Sequence, residues 1–500
     1  MLSSIRINRI FELYFLFECI MQRRTFIKSC ALAMGAWCID HQLFARMAPQ
    51  LGEPRLRIGI VSDVHIRHAE HTEALETAFR YFHDKGADGV IIAGDMADTG
   101  LERQLKAVAE TWYRIFPKDK ASDGRRVEKL FVYGNHDVEG HHYDLSGIVP
   151  KEEQEELIRK EAIANDRAAV WKKYFKEKYQ PIYLKEVKGY KFVGAHWGDW
   201  QHIEGMPAFL EAHRAELEGE KPFFYFQHAH PRNTCYGPWA WGKDDGQSTK
   251  ALSRFPNCIA FSGHSHTILQ DDYSIWQGDF VSVGTSSLSY TYARGGRENT
   301  YVDGESKETP YQMPVVDQQD GKQGLLMTVY DQCVVLERQE FVYGEHVGVD
   351  WVIPLPMNRS GKPYSFAHRA SQATAPEFPA GSAVRVERAR GKDRYGKEQL
   401  QTSVYFPNVL CRNAKQRAYD FEVQIEMLDE DTEKIMLTKR VMSPHFYLGE
   451  QKDDDEVVCV FGEQEIPTYR PYRFVVRPVE CFGKKGRPIR SEWIHQQSES

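Results

Sequence analysis

The sequence predicts an α/β domain followed by a smaller all-β domain. From residue 55 to about residue 117, apolar strand-like segments alternate with amphipathic helical patterns, which is typical of strands buried under helices. Five strand-like segments of this first part end in carboxylate, imidazole or amide side chains. Beyond residue 380 the apolar period changes to two, as expected for strands with one solvated face. These observations together predict a polar site at the strand ends of the first domain.

Length and composition limit the classes of protein that fit. A chain of 500 residues exceeds one typical core, so two domains and a leader are expected. The apolar fraction of 42% and the charged fraction of 27% are those of a soluble globular protein. The net charge of −7 and the lack of a polybasic tract indicate no nucleic-acid-binding surface.

Residues 1–45 have the pattern of an export signal. A positive region with Arg23, Arg24 and Lys28 precedes a short apolar stretch and a small-residue cleavage site. This stretch is too short to span a bilayer, so we expect no transmembrane segment in a mature, periplasmic or secreted chain. The arginine pair fits the twin-arginine pattern, but a general secretory signal is equally compatible, and Met21 is an alternative start.

The cysteines do not form a metal-binding pattern. Nine are present, and no two have the CxxC spacing of thiolate sites. Six remain after the leader, and pairing of some of them stays open for an exported protein. These are Cys235, Cys258, Cys333, Cys411, Cys459 and Cys481.

The first domain, residues 55–353, is predicted to alternate between strands and helices. Between its last strands, residues 286–314 lack any periodicity, and they are either a substrate loop or a variable surface excursion. In chain order we predict strand 56–61, helix 71–85, strand 89–93, helix 101–116, strand 129–133, helix 151–179, strands 182–187 and 190–195, helix 206–218, strands 222–227, 259–261 and 279–283, and a hairpin of 325–330 with 333–341.

The second domain, residues 380–496, is predicted to be an antiparallel β-sandwich. Residues 354–379 are rich in Pro, Ser, Gly and Ala and are predicted to be a linker with few contacts crossing it. We therefore expect truncation near Pro379 to leave a folded first domain. In pattern and size the tail resembles a fibronectin type III domain. Its predicted strands are 383–388, 400–406, 419–427, 434–441, 457–461 and 472–476.

The polar strand ends of the first domain carry metal-type ligands. In an α/β sheet the carboxyl ends of the strands meet at one edge, so ligands on different strands can share a pocket. Oxygen and nitrogen donors suit divalent or trivalent Mn, Fe, Zn or Co, and seven donors suit two ions that share a carboxylate. The seven predicted ligands are Asp63, His65, Asp95, Asn135, His228, His264 and His266.

The order of these motifs resembles the calcineurin-like metallophosphoesterases over about residues 55–345. The matching motifs are Asp63-x-His65, Gly94-Asp95-x-x-Asp98, Gly134-Asn135-His136-Asp137, His228 and Gly263-His264-Ser265-His266. The resemblance implies a four-layer α/β/β/α sandwich and a metal-bound hydroxide that attacks a phosphate ester. It further implies that Asp95 bridges two ions, one held by Asp63, His65 and His266 and the other by Asn135, His228 and His264.

His136 and Asp137 are predicted to be catalytic. Because Asn135 points from the strand end toward a metal, the next side chain leaves in another direction, toward the substrate oxygen. We expect Asp137 or a nearby carboxylate to hold the His136 ring and to favour its imidazolium form. His136 would then stabilise or protonate the leaving alkoxide.

Two positions complicate the resemblance. Purple acid phosphatases have a tyrosine where this chain has Asp98, so no iron–tyrosinate colour is expected. His230 competes with His228 as a ligand, and we prefer His228 because it directly ends the strand.

The predicted function is that of an exported binuclear phosphoesterase acting on a phosphate mono- or diester. The alternatives are a nucleotidase or pyrophosphatase of the same superfamily, or a non-catalytic metal-containing scaffold that attaches through its β-sandwich.

Overall fold

The computed structural model describes most of the chain after the predicted export signal. It covers residues 51–198, 201–237, 242–291, 321–359, 361–393, 396–411, 416–444, 446 and 456–495. The predicted signal at residues 1–45, and the predicted substrate loop beyond residue 291, lie outside this range. Within the range, no helix has both the length and the apolar character needed to cross a bilayer.

The first domain contains two mixed β-sheets. The first sheet has the order β12-β11-β10-β1-β2-β3, with β13 also on β11, and the second has the order β4-β5-β6-β7-β9-β8. The strands are β1 (Leu56–Val61), β2 (Gly89–Ala93), β3 (Glu128–Val132), β4 (Ile182–Val187), β5 (Tyr190–Ala195), β6 (Phe223–Phe226), β7 (Cys258–Ser262), β8 (Ile275–Gln277), β9 (Val281–Gly284), β10 (Gln323–Val329), β11 (Cys333–Glu340), β12 (Glu345–His346) and β13 (Trp351–Pro354).

Helices cover the outer faces of the two sheets. Phe79 and Trp112 belong to the apolar cluster outside the first sheet, and Leu210 and Leu252 belong to the one outside the second. A third cluster joins buried side chains of both sheets, so the predicted four-layer α/β/β/α architecture is confirmed. The α-helices are α1 (Glu73–Asp84), α2 (Glu102–Ile115), α3 (Asn135–Glu139), α4 (Gln154–Glu161), α5 (Arg167–Phe175), α6 (Met206–Ala212), α7 (Arg214–Leu217), α8 (Gln247–Leu252) and, after the last strand, α9 (Phe366–Gln372).

The strand register brings the polar strand ends to one edge. In the first sheet β1, β2 and β3 are parallel neighbours. In the second sheet β6 pairs in parallel with β7. Parallel neighbours end on the same side, so the residues that follow these five strands meet at the carboxyl edge of the two sheets.

The predicted helix at residues 151–179 is two helices, α4 and α5. Ala162 leaves the helical conformation with a ψ of 124° and forms a bridge with Leu101. Asp166 then caps the new helix, because its carboxylate accepts the backbone N–H of Ala169 at 2.8 Å. A local cap and a long-range pairing together override a helical composition that looks continuous.

The second domain is an antiparallel β-sandwich, as predicted. Its sheets have the orders β14-β15-β20 and β19-β18-β21-β22, and one apolar cluster lies between them. The likeness to a fibronectin type III domain stays a prediction. The strands are β14 (Arg385–Lys392), β15 (Glu398–Pro407), β18 (Asp420–Asp429), β19 (Thr432–Met442), β20 (Glu456–Gly462), β21 (Tyr472–Val479) and β22 (Ile489–Arg490), with β16 (Leu410–Cys411) and β17 (Gln416–Arg417) as a separate pair.

One face of β18 is polar, as its alternation predicts, but it is not solvated. Asp420 and Glu422 are buried on this central strand. Arg440 of β19 binds the Asp420 carboxylate, and Lys485 reaches Glu422. Long basic side chains of neighbouring segments therefore cover carboxylates that the alternation alone places in water.

The two domains are in contact beside the polar edge. Ile268, two residues after the predicted ligand His266, lies in one apolar cluster with Tyr419, Met442 and Cys481 of the second domain. The predicted linker also carries helix α9. The boundaries of the two domains and of the linker between them stay predictions.

Four cysteines of the described residues are buried free thiols in the cores of the two domains. These are Cys235, Cys258, Cys333 and Cys459.

Candidate metal centre

The polar strand ends converge into three groups of possible ligand atoms, and two of these groups consist of predicted ligands alone. In the first group the ligand atoms of Asp63, His65 and His266 all lie within 4.8 Å of one another. In the second group the same limit holds for Asp95, His228 and His264. The first group is one ligand set that the family resemblance implies, and the second has two residues of the other set together with the predicted bridging residue Asp95.

Asp95 lies between the two groups. Its Oδ2 atom is 2.9 Å from Nε2 of His228 in its own group and 3.7 Å from Nε2 of His65 in the other. Its Oδ1 atom accepts the backbone N–H of His136 at 2.8 Å, which fixes the carboxylate in the plane between the groups. One oxygen facing both groups is the arrangement that a bridging carboxylate requires.

Asn135 offers a free acceptor at the same place. Its Oδ1 atom is buried and has no hydrogen-bond partner among the described residues. Its Nδ2 atom donates to the hydroxyl of Tyr143 at 3.1 Å. A buried carbonyl oxygen without a partner is costly unless a cation binds it, so this residue fits a metal ligand.

Three ligand histidines are held through Nδ1, which leaves Nε2 for a metal. His65 is held by the Asp98 carboxylate at 3.1 Å, His228 by the carbonyl of Ala93 at 2.8 Å, and His266 by the carbonyl of Tyr290 at 3.0 Å. Such outer contacts set the tautomer and the ring orientation of metal-binding histidines. His264 differs, since its Nδ1 faces Nε2 of His228 at 3.1 Å.

Five of the predicted ligands have a left-handed backbone conformation. Positive φ is uncommon for residues other than glycine and costs energy that the surrounding fold must supply. The φ angles are 51° at Asp63, 47° at His65, 52° at Asp95, 70° at His264 and 54° at His266. Strain shared by the ligands of one site indicates that their directions are imposed by function rather than by local preference.

The glycines of two motifs are required by close packing. A Cβ atom on Gly94 would lie 2.4 Å from the His228 ring, and the φ of this glycine is 95°. A Cβ atom on Gly134 would lie 2.1 Å from Oδ1 of Asp95. A side chain at either position would displace a predicted ligand, which explains the glycine before Asp95 and before Asn135.

Opposite charges shift the pKa values of the ligand groups. Burial opposes the charged form, yet Asp63 and Asp98 raise the pKa of His65 to about 10. Against the same burial effect, Asp95 and Asp63 raise the pKa of His228 to about 9. The charge of His266 in turn holds the pKa of Asp63 well below its usual range despite burial. Negative carboxylates next to imidazoles make a site that attracts cations, whether protons or metals.

His136 lies beside the two groups of predicted ligands and forms a third group of possible ligand atoms with His65 and Asp98. Its ring stands edge-on to His65, with 4.5 Å between ring centroids, and its Nδ1 is 2.6 Å from the backbone carbonyl of Asp98. The Asp98 carboxylate is 3.7 Å from the same nitrogen. Burial lowers the pKa of His136, and the charge of Asp95 offsets only part of this effect. The lowered pKa disfavours the imidazolium form that the sequence predicts.

Asp98, rather than Asp137, is the carboxylate that faces His136. Asp137 is fully buried and accepts backbone N–H groups of Ala97 at 2.7 Å and Gly134 at 2.8 Å. These bonds join the loops after β2 and β3, so the observed contacts of Asp137 are structural. A catalytic role for it stays a prediction. The sequence signal for Asp98 is its place three residues after Asp95 in the quoted motif.

His230 does not join the ligand atoms. Its Nδ1 contacts the hydroxyl of Ser262 at 2.9 Å, and burial lowers its pKa to about 3. The preference for His228 over His230 therefore agrees with the geometry.

Trp197 lies next to the candidate metal centre and was not predicted from the sequence as a site residue. Its ring centroid lies 5.6 Å from that of His228 and 5.4 Å from that of His264. Its indole N–H donates to Glu139 at 2.7 Å. A tryptophan after a strand carries no distinctive sequence signal, because most such residues only pack in the core.

The chain is similar to several solved structures at low sequence identity. A dimetal phosphatase from Danio rerio aligns with 12% identity over 60% of this chain and 99% of its own, with a TM-score of 0.37. YfcE, a phosphoesterase from E. coli, aligns with 12% identity over 60% and 100%, with a TM-score of 0.26. GAP50 of Plasmodium, described as the anchor in the inner membrane complex, aligns with 9% identity over 60% and 88%, with a TM-score of 0.34.

Curated proteins show no significant match to this sequence. The family model of the calcineurin-like phosphoesterases matches residues 56–267, which include all seven predicted ligands. This match agrees with the four-layer architecture and with the ligand groups at the strand ends. Residues 56–267 are therefore similar to the calcineurin-like phosphoesterases, as the sequence motifs predict.

Proposed function

We propose that this protein is a binuclear metal-dependent hydrolase of phosphate mono- or diesters. The observation that carries the proposal is the position of Asp95 Oδ2, 2.9 Å from His228 of one ligand group and 3.7 Å from His65 of the other. A single carboxylate oxygen that faces both groups fits two ions a short distance apart better than one. The mixed oxygen and nitrogen donors suit Mn, Fe, Zn or Co.

The chain's own residues divide into those that hold ions and those that orient the holders. Two bound cations would supply positive charge to the phosphate oxygens and activate the attacking water. Asp98 orients His65 through Nδ1 and is itself fixed by Arg67 at 2.8 Å. Ser62 donates to the Asp63 carboxylate, and the His264 N–H donates to the same group at 3.0 Å. The ligands are therefore preorganised without a metal, which keeps the reorganisation needed on binding small.

His136 is the group best placed to act on the substrate. The Asp98 carbonyl accepts the Nδ1 proton at 2.6 Å, so Nε2 is the nitrogen available for the leaving or phosphoryl oxygen, and proton donation from Nε2 requires the imidazolium form. Its ring packs against both His65 and Tyr143, with centroid distances of 4.5 Å and 4.6 Å. A ring held on two sides keeps its direction, and positioned acid–base groups contribute about 10²–10⁴-fold to rates.

Export is the second part of the proposal. Its support is the basic and apolar pattern of residues 1–45 with its small-residue cleavage site. In a periplasmic fraction from an expressing cell, the N-terminal peptide of the mature chain should begin after Ala45. A full-length chain recovered only from the cytoplasm would contradict export and leave the catalytic proposal unaffected.

The catalytic test is a substrate panel with defined metals. The purified protein is stripped with a chelator, reloaded with Mn, Fe, Zn or Co, and assayed on 4-nitrophenyl phosphate and bis(4-nitrophenyl) phosphate. We expect at least one metal to restore hydrolysis, and the ratio of the two rates to distinguish a monoesterase from a diesterase. Metal content per chain should approach two ions, in line with the two ligand groups.

Asp95→Asn is the matched inactive control for this panel, because it removes charge without changing size. A parent protein that binds two ions but hydrolyses no ester, including nucleotides and pyrophosphate, would favour the non-catalytic scaffold. Hydrolysis confined to nucleotides or to pyrophosphate would instead select that alternative within the superfamily.

A further inference from the structure

A large cavity lies next to the candidate metal centre and has no role in holding the metals. Its volume is about 770 Å³, within the range of small-molecule sites. The walls include basic, imidazole and aromatic side chains from four segments of the first domain. The charged, imidazole and aromatic residues of the lining include Glu139, His141, Arg167, Tyr179, His196 and Trp197.

Two elements connect this cavity with the metal centre. Trp197 lines the cavity and also packs against the rings of His228 and His264, at 5.6 Å and 5.4 Å. Helix α3 begins with the ligand Asn135 and ends with Glu139, which lines the cavity. Four residues of helix span about 6 Å, so only this short distance separates the predicted ligand Asn135 from the cavity wall at Glu139.

Arg167 is the arginine of the cavity wall, and its guanidinium interacts with the Tyr179 hydroxyl on the same wall. It is the first residue of helix α5, and no carboxylate among the described residues lies within ion-pair distance of its guanidinium. Its charge is felt by His141 and His196, which also line the cavity. A partly buried guanidinium without an acidic partner is a ready donor for a carboxylate or phosphate.

The neighbouring histidines supply hydrogen-bond donors and flat walls. Nδ1 of His196 accepts the backbone N–H of Tyr133 at 3.0 Å, so the ring proton is on Nε2. Nδ1 of His141 is buried without a partner among the described residues, and its ring lies 3.9 Å from that of His142. The Tyr179 ring stands 4.8 Å from His196 on the same side. These rings suit a planar group rather than a flexible chain.

The acidic side chains that line the cavity form no ion pair with Arg167. The Glu139 carboxylate accepts the Trp197 indole N–H at 2.7 Å. Glu204 is exposed at the rim, and His202 pairs with Asp245 at 2.7 Å. The cavity is therefore not uniformly basic, and its geometry suits one anionic group at Arg167 rather than a polyanion.

We propose that this cavity binds the leaving group of the substrate and selects phosphate esters whose leaving group carries a second anionic group, which Arg167 binds. The inference rests on the proposed function, because the metal centre takes the scissile phosphate. It deepens that function by naming a substrate class: planar or aromatic alcohols with a carboxylate or phosphate of their own. In this proposal Arg167 determines which substrates are preferred, and hydrolysis of the phosphate ester takes place at the predicted metal ligands.

The test compares two aryl esters that differ in one charge. Phenyl phosphate and 4-carboxyphenyl phosphate are assayed as substrates of the metal-loaded full chain, and the ratio of their kcat/KM values is measured. In Arg167→Met this ratio should fall about tenfold or more in disfavour of the carboxylated ester, as expected for a lost charge-assisted hydrogen bond. Arg167→Lys keeps the charge and should keep much of the preference.

Lys172→Met is the matched control. It removes a positive charge from the exposed face of the same helix and should leave the ratio unchanged. An unchanged ratio in Arg167→Met, or a parent enzyme that does not distinguish the two esters, would overturn the inference while leaving the phosphoesterase function standing.

A binding measurement separates this inference from failure of the proposed function. Calorimetric titration with 4-hydroxybenzoate and with phenol needs no turnover. We expect the parent protein to bind 4-hydroxybenzoate more tightly than phenol, and Arg167→Met to lose the difference. That result in a protein without esterase activity would sustain the anion site and refute the phosphoesterase, whereas equal binding of both compounds would refute the anion site.

Discussion

Two histidine-rich regions lie side by side in this protein and have opposite electrostatics. In the metal centre, nearby carboxylates raise the pKa of the buried His228 to about 9. In the Arg167 cavity, burial together with the charges of Arg167 and Lys185 lowers the pKa of the equally buried His196 to about 3. Burial acts in the same direction in both places, so the neighbours decide. His228 favours its charged form because Asp95 and Asp63 are its neighbours, and His196 favours its neutral form because it is buried near Arg167.

The largest effect is expected from removing the Asp95 carboxylate, which lies between the two ligand groups of the candidate metal centre. Asp95→Asn should reduce hydrolysis to background, because one oxygen faces both ligand groups and its charge offsets both ions. Metal analysis after dialysis should show fewer ions per chain than in the parent. Two retained ions with normal turnover would contradict the bridging role.

His136→Ala should reduce the rate without removing metal. The expected loss is about 10²–10⁴-fold for esters with alkoxide leaving groups and smaller for nitrophenolate esters, which need less help in leaving. His136 belongs to neither ligand group that Asp95 joins, so metal content should equal that of the parent. Equal losses for both kinds of ester would argue against proton donation. Loss of metal would make His136 a ligand.

A substitution at the contact between the two domains should affect the candidate metal centre and leave the Arg167 cavity unchanged. Ile268 follows His266 by two residues and is 1% exposed in a cluster with Tyr419 of the second domain. Ile268→Asp should destabilise the protein by about 2–4 kcal/mol, because it buries an unpaired charge. Chemical unfolding measures this loss, and metal affinity should weaken while binding of 4-hydroxybenzoate to the folded protein stays the same.

Ile435→Asp is the matched control for the domain contact. Ile435 is 57% exposed on strand β19, so the same substitution there should cost no more than about 0.5 kcal/mol. If both variants were equally stable, the docking of the two domains would contribute little, and the truncation near Pro379 would be expected to succeed.

The smallest expected effect is a difference in the pH dependence of stability of the metal-free protein. The folded pKa of His228, about 9, lies above its unfolded value of about 6.5, so its contribution is full below pH 6.5 and is lost as the pH rises toward 9. The folded pKa of His196, about 3, lies below the unfolded value, so stability is lost as the pH falls from 6.5 toward 3.

Two substitutions check these opposite signs. The free energy of unfolding is measured with urea in the presence of a chelator at pH 4.5, 6.5 and 9. His228→Asn should reduce its dependence on pH between 6.5 and 9, and His196→Asn should reduce it between 4.5 and 6.5. Changes of about 1 kcal/mol are expected, since solvent relaxation reduces such shifts. If both variants altered the same side of the profile, the contrast between the two regions would be wrong.

The sequence by itself predicted the candidate ligand residues and the order of most elements. Each predicted ligand lies within four residues of the end of an apolar strand, as Asp95 follows the strand that ends at Ala93, so local pattern alone places it near a strand end. Strands β1, β2, β3, β10 and β11 of the first sheet were predictable within a residue or two for the same reason, whereas the short edge strands β12 and β13 were not predicted. The polar period of the second domain likewise predicted its sandwich, because alternation is a local property of a strand.

Tertiary structure alone decided how these residues work together. The pairing of Asp98 with His65, the unpartnered Oδ1 of Asn135 and the cavity around Arg167 all join segments that are distant in sequence. The break of the helix at Ala162 and the covered face of β18 have the same origin. Periodicity reports which face of an element is apolar. It does not report which distant side chain packs against that face. In this protein such long-range contacts determine the burial and the charge of the candidate site residues.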